Sequence, residues 1–564
     1  MSTRSILISY AGYPFTPSSL MPDNGLANLA GALTQAGHQT LILDYGTVDT
    51  IKRLYPARLS QKAIPFCERV FGDSNGDYKP TFRDMLFLKY LDWHLARYQR
   101  SEVHSIAQEI CHKIRDYKPD FVGFKLWTGD GFSSSVQIAR SIKHAFPNLP
   151  LIAGGPHVDI FRHLIFEKND AFDVLTYAEG EETILKLAEC LKGGRSLKGI
   201  PNLIHRDNGI TEATEPKWIT KLDELPYPSY DPGIYPSLED NQKMKIVTVD
   251  ESRGCFCGCY FCPHPNKSGR KLRMKTPERF VDEIEYLINS YSFTAFRYAG
   301  SATPTLFAKK IADLIIQKRL SIDYSMFGNI LISRGEDFGT LRASGCRAIF
   351  FGLESGSEEI LKVSIGKRFT VSDARKVLRD SKASGIFTIA SIIFPSPFEN
   401  EKTRNETVDL LMSVRPDSII VTFPIVTPTT AWAETPERFG FGITDGCWIE
   451  NNMDYKIKWL FPPRFWKALP YTLNGRKFRA YTRMTSDFSC ALRKEGFLVG
   501  MSDDLLLMAG RAGFKGRERH FMNRVRGIFF SGDWEKAQDL NKTINRAVAE
   551  KSLREYVDAT QQKQ

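Results

Sequence analysis

The sequence predicts an α/β protein: an N-terminal doubly wound, Rossmann-like domain, a partial (β/α)6 barrel of the TIM type, and a mostly helical C-terminal cap. Three observations predict it. Short apolar runs alternate with amphipathic stretches through residues 1–435, the pattern of parallel sheets covered by crossover helices. At 564 residues the chain is too long for one core and suits about three or four units. Its 42% hydrophobic and 25% charged content is globular and excludes wholesale disorder, collagen-like and coiled-coil structure.

In the first unit, residues 1–220, apolar runs at 5–9, 40–44, 121–125, 151–153 and 173–177 end in Gly, Asp or aromatic loops and read as strands. Helical patterns at 26–35, 134–145 and 182–191 separate them. Residues 47–104 break the rhythm and read as an insertion rich in aromatic and basic side chains. Ligands on such a sheet bind beyond the carboxyl ends of its strands. That rule singles out the loops carrying Tyr10 and Gly25, Tyr45, Trp127, Thr128 and Gly129, Gly154, Gly155 and Pro156, and Glu179 with Gly180. Glycine there lets the backbone approach a bulky flat ligand, and is equally an ordinary turn residue.

A polar, Pro-rich passage, 221–243, reads as a linker. From 244 to 435, candidate strands at 246–250, 295–299, 322–326, 348–351, 387–393 and 417–423 alternate with helical patterns such as 277–290, 305–317 and 372–384. Six such units with right-handed crossovers curl into a barrel or part of one. Residues 436–564 carry dense aromatics without a repeat and read as the cap that holds the substrate.

The net charge of +11 is uneven: residues 431–564 hold 23 Lys and Arg against 16 Asp and Glu. Arg511, Lys515, Arg517, Arg519, Arg524 and Arg526 surround the single acid Glu518. Such a run is a site for anionic groups or a solvated face. No aromatic-and-glycine motif accompanies it, so nucleic acid is not expected. No apolar run reaches the roughly 18 to 20 residues of a membrane span, and the N-terminus does not read as a secretion signal; a cytoplasmic protein is expected. Ten cysteines are too few for a disulfide scaffold, and four of them lie within 255–262, which points to metal or redox chemistry in a reducing compartment.

Those four stand in Glu251-Ser-Arg-Gly-Cys255-Phe-Cys257-Gly-Cys259-Tyr-Phe-Cys262, directly after the first barrel strand. Loops at that edge host the chemistry of parallel barrels. Thiolates bind zinc or an iron–sulfur cluster. The main spacing, Cys-x3-Cys-x2-Cys, leaves Cys257 as an extra, and no second Cys-x2-Cys pair completes a zinc ribbon, so an open coordination position is implied.

With an aromatic residue before its third Cys, this motif resembles the signature of radical S-adenosylmethionine (SAM) enzymes. The resemblance implies that Cys255, Cys259 and Cys262 bind a [4Fe-4S] cluster whose unique iron chelates SAM, that Phe261 lies against the adenine, and that Cys257 is a spacer, with a ligand set that uses it left open. Phe351-Gly-Leu-Glu-Ser-Gly-Ser357 is similar to a SAM-contacting fourth-strand segment, with Glu354 and Ser355 reaching ribose or amine. Arg297-Tyr-Ala-Gly-Ser-Ala302 lacks the acid that often holds the SAM amine, leaving the backbone of Ala299 and Gly300. Pro395 stands where relatives often carry Gly.

Ala153-Gly-Gly-Pro-His157, Ala178-Glu-Gly-Glu-Glu-Thr183 and the Pro-rich linker resemble the N-terminal half of cobalamin-binding radical SAM proteins, and the loops named above become the expected cobalamin contacts. No Asp-x-His-x-x-Gly occurs, so cobalt without a protein histidine is implied; His157 reads as a turn hydrogen-bonder. The resemblance implies a methyltransferase of the cobalamin-dependent radical SAM type, class B, using SAM, [4Fe-4S] and methylcobalamin with an external electron donor of the flavodoxin or ferredoxin kind. A cyclase, oxidase or rearrangement enzyme with the same cofactors is the alternative, and a noncatalytic cobalamin or iron–sulfur sensor a third. Arg476, Arg479, Arg483 and the basic stretch favour an anionic small-molecule or peptide substrate. Trp432, Trp448, Trp459, Trp466, Tyr471, Tyr481 and Phe488 either line its pocket or form core. No catalytic acid or base is identified.

Overall fold

The computed structural model describes residues 2–561 apart from 73–80, 194–195, 208, 302 and 456–460, with side chains to residue 550 except that of residue 464. The first sheet holds β1 (Arg4–Ser9), β2 (Gln39–Asp44), β3 (Phe121–Lys125), β4 (Leu151–Gly154), β5 (Val174–Thr176), β6 (Leu203–Asp207) and β7 (Ile210–Ala213). Their order is β2–β1–β3–β4–β5–β6–β7; the first five run parallel and the last two return antiparallel. The helices of this half are α1 (Asn24–Gln35), α2 (Val48–Leu54), α3 (Ala57–Phe71), α4 (Phe82–Tyr117), α5 (Asp130–Ala145), α6 (Pro156–Phe161), α7 (Leu164–Lys168) and α8 (Glu181–Gly193).

Alternation along the strands sorts their side chains. Ile6, Ile8, Val122 and Phe124 join the core that includes α4 and α5, whereas Leu7, Ile42, Phe121 and Ile152 join α1 and α8 on the other face. Both faces are buried, which is why these strands read as continuous apolar runs. The order reverses between β1 and β3, and a crevice opens at such a switch point.

The region read as an insertion is mostly helical in its described residues. It comprises α2, α3 and the first part of α4, and 104 is no boundary: Ile106, Ile110 and Ile114 on the same helix pack in the core of the sheet. The 221–243 passage is not a free tether. Ser229 N donates to Ala27 O at 2.9 Å and Ile42 N to Ile234 O at 2.7 Å, Tyr230 and Tyr235 are buried, and a Cβ on Gly31 would sit 2.1 Å from Tyr227 O. Lys243, itself buried, pairs with Asp44 at 2.5 Å.

The second half begins with β8 (Ile246–Val249), followed by a small antiparallel ladder of β9 (Ser252–Arg253) and β10 (Arg273–Met274). Then come β11 (Ala295–Tyr298), β12 (Asp323–Gly328), β13 (Cys346–Glu354), β14 (Phe387–Ile393) and β15 (Ser418–Thr422). The six long strands, ordered β15–β14–β13–β12–β11–β8, are all parallel, as the six βα units predict.

The stretch expected as a cap divides in two. Three short antiparallel strands, β16 (Phe441–Ile443), β17 (Tyr471–Leu473) and β18 (Arg476–Lys477), belong to a small core of Trp432, Phe439, Phe441 and Tyr471 that packs against Tyr260 and Phe261. The rest is a strap between the halves. Ile419 N donates to Leu498 O and Gly500 N to Ile419 O, extending the sheet beyond β15. Fully buried Asp503 accepts both Arg297 Nε and Nη2, at 2.8 and 2.9 Å, and Ser325 Oγ at 2.9 Å. Helix Glu518–Ser531 packs on α3 and helix Trp534–Gln561 on α2. From that last helix Asn545 Oδ1 accepts Lys245 N at 2.7 Å, and Val548 O accepts Thr294 Oγ1 at 3.0 Å. Among the described residues no helix is long and apolar enough to cross a membrane.

Candidate active site

The thiol loop leaves β9 through Gly254, at φ +86°, where a Cβ would lie 2.2 Å from Lys271 O; only glycine turns there without strain. The turn is held by Cys255 N donating to Gly269 O at 3.0 Å and by Ser301 Oγ donating to Gly254 O at 2.8 Å. Tyr260 N donates to Ile365 O at 2.9 Å, pinning the loop to the segment after β13.

Beyond that segment's Gly366 stands Lys367, which donates to Gly352 O at 3.0 Å and lies 3.6 Å from Glu354 Oε1. Glu354 occupies the left-handed region at φ +70°, just after a register shift in β13. Non-glycine residues persist there only when their surroundings hold them. The Glu354 carboxylate also accepts Ser391 Oγ at 2.8 Å. The Lys367 ammonium acts electrostatically on Cys257, Cys259 and Cys262. A hydrogen bond from Cys257 lowers the Cys255 thiol to about 6, against the pull of burial. Cys257 rises as the other member of that pair, and Asn329 Nδ2 donates to its Sγ at 3.2 Å. Burial raises Cys259 and pushes Cys262 up to about 11.

This donor set fits a cluster. Three thiols on one short loop face a half-buried cation, Lys367, that offsets the negative charge their ionisation brings. Among the described residues no three Cys, His, Asp or Glu side chains converge on a common point.

A groove of about 360 Å³ runs along the carboxyl edge of the first sheet at the switch point, facing the barrel. Gly25, Gly154, Gly155, Pro156, Glu179 and Gly180 line it, and Ala299 lines it from the barrel side. A Cβ on Gly154 would lie 2.4 Å from Thr176 Oγ1, and one on Gly155, at φ +94°, 2.9 Å from Lys125. Below, between the sheet and helices α1 and α8, Leu7, Ile152, Ile184 and Leu187 make the depth apolar; the rim carries Asn24, Asn28, Asp250, Arg253 and Lys267. Apolar depth under a polar rim suits a large ring with polar edges and a tail that ends in an aromatic base, as cobalamin is.

Other expected contacts lie elsewhere. Tyr10 and Tyr45 pack in or against the core on the opposite face of the sheet, 5.8 Å apart, because strand alternation continues into those loops. Trp127, Thr128 and Gly129 are outside the groove; the Trp127 indole donates to Ser9 Oγ at 3.0 Å. The Glu179 carboxylate is committed to Arg273 at 2.8 Å and to Ile219 N at 2.6 Å. His157 is not a turn hydrogen-bonder: its fully buried ring stacks on Phe132 at 4.1 Å with neither nitrogen bonded, and burial lowers its pKa to about 3.

On the SAM side, Phe261 packs 5.7 Å from Trp432. Ser355 turns away from Glu354 toward Thr407, at 3.2 Å, and is buried. Gly300 N donates to Glu251 Oε2 at 2.9 Å. The backbone N–H of Gly300, expected as a SAM contact, is thus committed to the buried Glu251 carboxylate from the loop after the first barrel strand. Burial raises Glu251 to about 7, with Thr303 and Gly300 bonding to it.

The arginines expected to clamp an anion do not converge. Arg476, Arg479 and Arg483 are exposed; Arg511 bonds Asp323 at 2.8 Å and the carbonyls of Thr294 and Ala547. Arg517 and Arg524 lie over Phe514. Trp432, Trp466, Tyr471 and Tyr481 are core, Trp448 is packed against it, and Phe488 stacks on Phe394; Trp459 and Ala302 lie outside the described residues.

Residues missed from sequence include Lys367, Glu251, Lys125 and His264. Lys125, ending an apolar strand, was legible by the carboxyl-edge rule. It pairs with Asp23 at 2.7 Å, which outweighs burial and lowers that carboxyl. His264 lines the groove from the thiol side, and burial lowers its pKa.

Residues 252–411 match the radical SAM superfamily and residues 92–188 the B12 binding domain. An uncharacterized methyltransferase of Pyrococcus horikoshii is 29% identical over 327 residues, 57% of this chain and 69% of that protein. The anaerobic magnesium-protoporphyrin IX monomethyl ester cyclase of Cereibacter sphaeroides is 24% identical over 371 residues; the match covers 62% of this chain but only 57% of that protein. A solved structure of the radical S-adenosylmethionine methyltransferase TsrM from Kitasatospora setae, with cobalamin and [4Fe-4S] cluster bound, matches at TM-score 0.66 and 17% identity, over 93% of this chain and 99% of that one. That likeness shows a shared fold.

Proposed function

Taking this chain as a B12-binding radical SAM protein, we propose that it is a methyltransferase that moves a methyl group from SAM, by way of cobalamin, to an unactivated carbon or a phosphorus of a small-molecule or peptide substrate. One observation carries the reading: the helix that follows the thiol loop contributes His264 and Lys267 to the same groove that Gly154, Gly155 and Gly180 line from the first sheet. On this reading the two cofactor sites adjoin one gap.

When bound, the cluster and SAM supply a 5′-deoxyadenosyl radical able to take hydrogen from an unactivated C–H bond, and cobalamin carries the methyl group. Cys255, Cys259 and Cys262 hold the cluster, and Lys367 and Glu354 present charges of both signs beside it. The backbone at Gly154, Gly155 and Gly180 admits the corrin, and the first sheet (within 1–220) and the barrel (within 244–435) exclude water between them. Radical SAM enzymes take their electron from an external donor, here of the flavodoxin or ferredoxin kind.

The test is anaerobic reconstitution with SAM labelled in its methyl group. About four irons and one cobalt per chain, label appearing on cobalt, and both S-adenosylhomocysteine and 5′-deoxyadenosine under reductant support methyl transfer. The similarity to the cyclase favours one rival, ring formation with the same cofactors; it predicts 5′-deoxyadenosine without S-adenosylhomocysteine. Formation of neither compound, or zinc in place of iron, refutes both readings.

A further inference from the structure

Helix α4 carries bulky apolar side chains where none should be. Phe82 is 78% exposed, Leu86 52%, Tyr90 38% and Trp93 61%. Spaced four, four and three residues apart, they fall on one face and form a ridge about 16 Å long. Their helix is otherwise well anchored: Leu88 and Leu91 are buried on its inner side, and Thr81 and Asp84 cap its start reciprocally. The ridge is therefore held out rigidly, and an apolar patch of this size on a folded surface marks an interaction site.

Charge identifies what it meets. Arg83, Lys89, Arg97 and Arg100 are exposed along the same half of the helix. Lys62 of α3 lies over the Tyr90 ring at 5.0 Å, and Arg97 over Trp93 at 6.0 Å. Of the two acids within residues 82–100, Asp84 is buried and paired with Arg69, which leaves these four exposed cations beside one half-buried acid, Asp92. The chain as a whole is at +11. A convex line of Phe, Leu, Tyr and Trp edged by long cationic side chains has the composition of a helix that lies in a membrane interface, its rings at the headgroup boundary and its Lys and Arg reaching lipid phosphates.

We propose that the exposed face of α4 docks this protein on an anionic lipid surface, with Phe82, Leu86 and Trp93 entering the acyl boundary and the flanking cations engaging the headgroups. Among the described residues no helix is long and apolar enough to span the bilayer; the contact is peripheral and reversible. It is independent of the cofactor site, and it accounts for the aromatic and basic bias of the 47–104 region, which the groove leaves unused.

The reconstituted full-length protein is floated with vesicles of phosphatidylglycerol in phosphatidylcholine and with phosphatidylcholine alone. Flotation with the anionic vesicles only, released by about 1 M salt as charges are screened, is the expected result. Partitioning falls about tenfold or more in Phe82→Ser/Trp93→Ser and again in Lys89→Glu/Arg97→Glu, while iron and cobalt contents stay as in the parent, showing intact folding. The proposal is overturned by absence of flotation, or by flotation undiminished in both double variants. It is equally overturned if light scattering shows a dimer, without lipid, that the Phe82→Ser/Trp93→Ser change dissolves, since the ridge is then an interface between copies.

Discussion

On the thiol side of the molecule the proposed chemistry is carried by side chains, the sulfurs of Cys255, Cys259 and Cys262 with Lys367 acting on them from the turn after β13. On the sheet wall it is carried by side chains that are missing: Gly154, Gly155 and Gly180 leave a groove where a methyl group would already collide with Thr176, Lys125 or Leu29. The difference teaches that, on the proposed reading, a metal is recruited by donors and a macrocycle by vacancy, and the two sides should fail separately when altered.

The largest effect is expected on the thiol wall. Changing Cys255, Cys259 or Cys262 to Ala removes most of the roughly four irons per chain and all 5′-deoxyadenosine formation, whereas Cys257→Ala keeps both; iron assay and product chromatography decide. Next, Gly154→Val fills the groove, and cobalt drops to less than about a tenth of the parent content while iron holds, because a branched side chain cannot share space with the ring. Gly154→Val/Thr176→Ala relieves the collision within the protein and leaves the groove filled. If that double variant recovered cobalt binding, the vacancy account of the sheet wall would be broken.

A third test concerns Asp159, whose carboxylate accepts Ala178 N at 2.8 Å and lines the groove. Burial raises its pKa from 3.8 to about 6. The folded state therefore favours its protonated form: the associated stability is fully present below pH 3.8 and is lost as pH rises through about 6. Asp159→Asn, which keeps an acceptor for Ala178, is expected to be more stable than the parent by about 1–3 kcal/mol at neutral pH and no more stable in acid, by urea unfolding at the two pH values. The smallest effect belongs to Tyr45→Phe. Its hydroxyl is buried and unbonded, and cobalt binding should change by less than about twofold, since the ring faces the other side of the sheet.

The same contrast explains what was legible in the sequence. Strand and helix alternation announced both parallel sheets, since period and burial act locally. Cysteines at fixed spacing announced the thiol loop. The groove was half legible: the carboxyl-edge rule finds the right loops, but whether a loop residue points into the groove depends on strand phase, which put Gly154 and Gly155 in and Tyr10 and Tyr45 out. Lys367 was hidden because its role depends on a register shift in β13 more than ten residues earlier, and Glu251 because it serves the neighbouring strand's loop. The strap was not foreseen, since its partners, Arg297, Thr294 and Lys245, lie hundreds of residues away and no local pattern records them.

That strap fixes an order of assembly. Lys245 and Thr294 receive their partners only after residues 545–548 have been synthesised, and Arg297 waits for Asp503. Each half can collapse early on the ribosome, yet the seam that sets their spacing closes late.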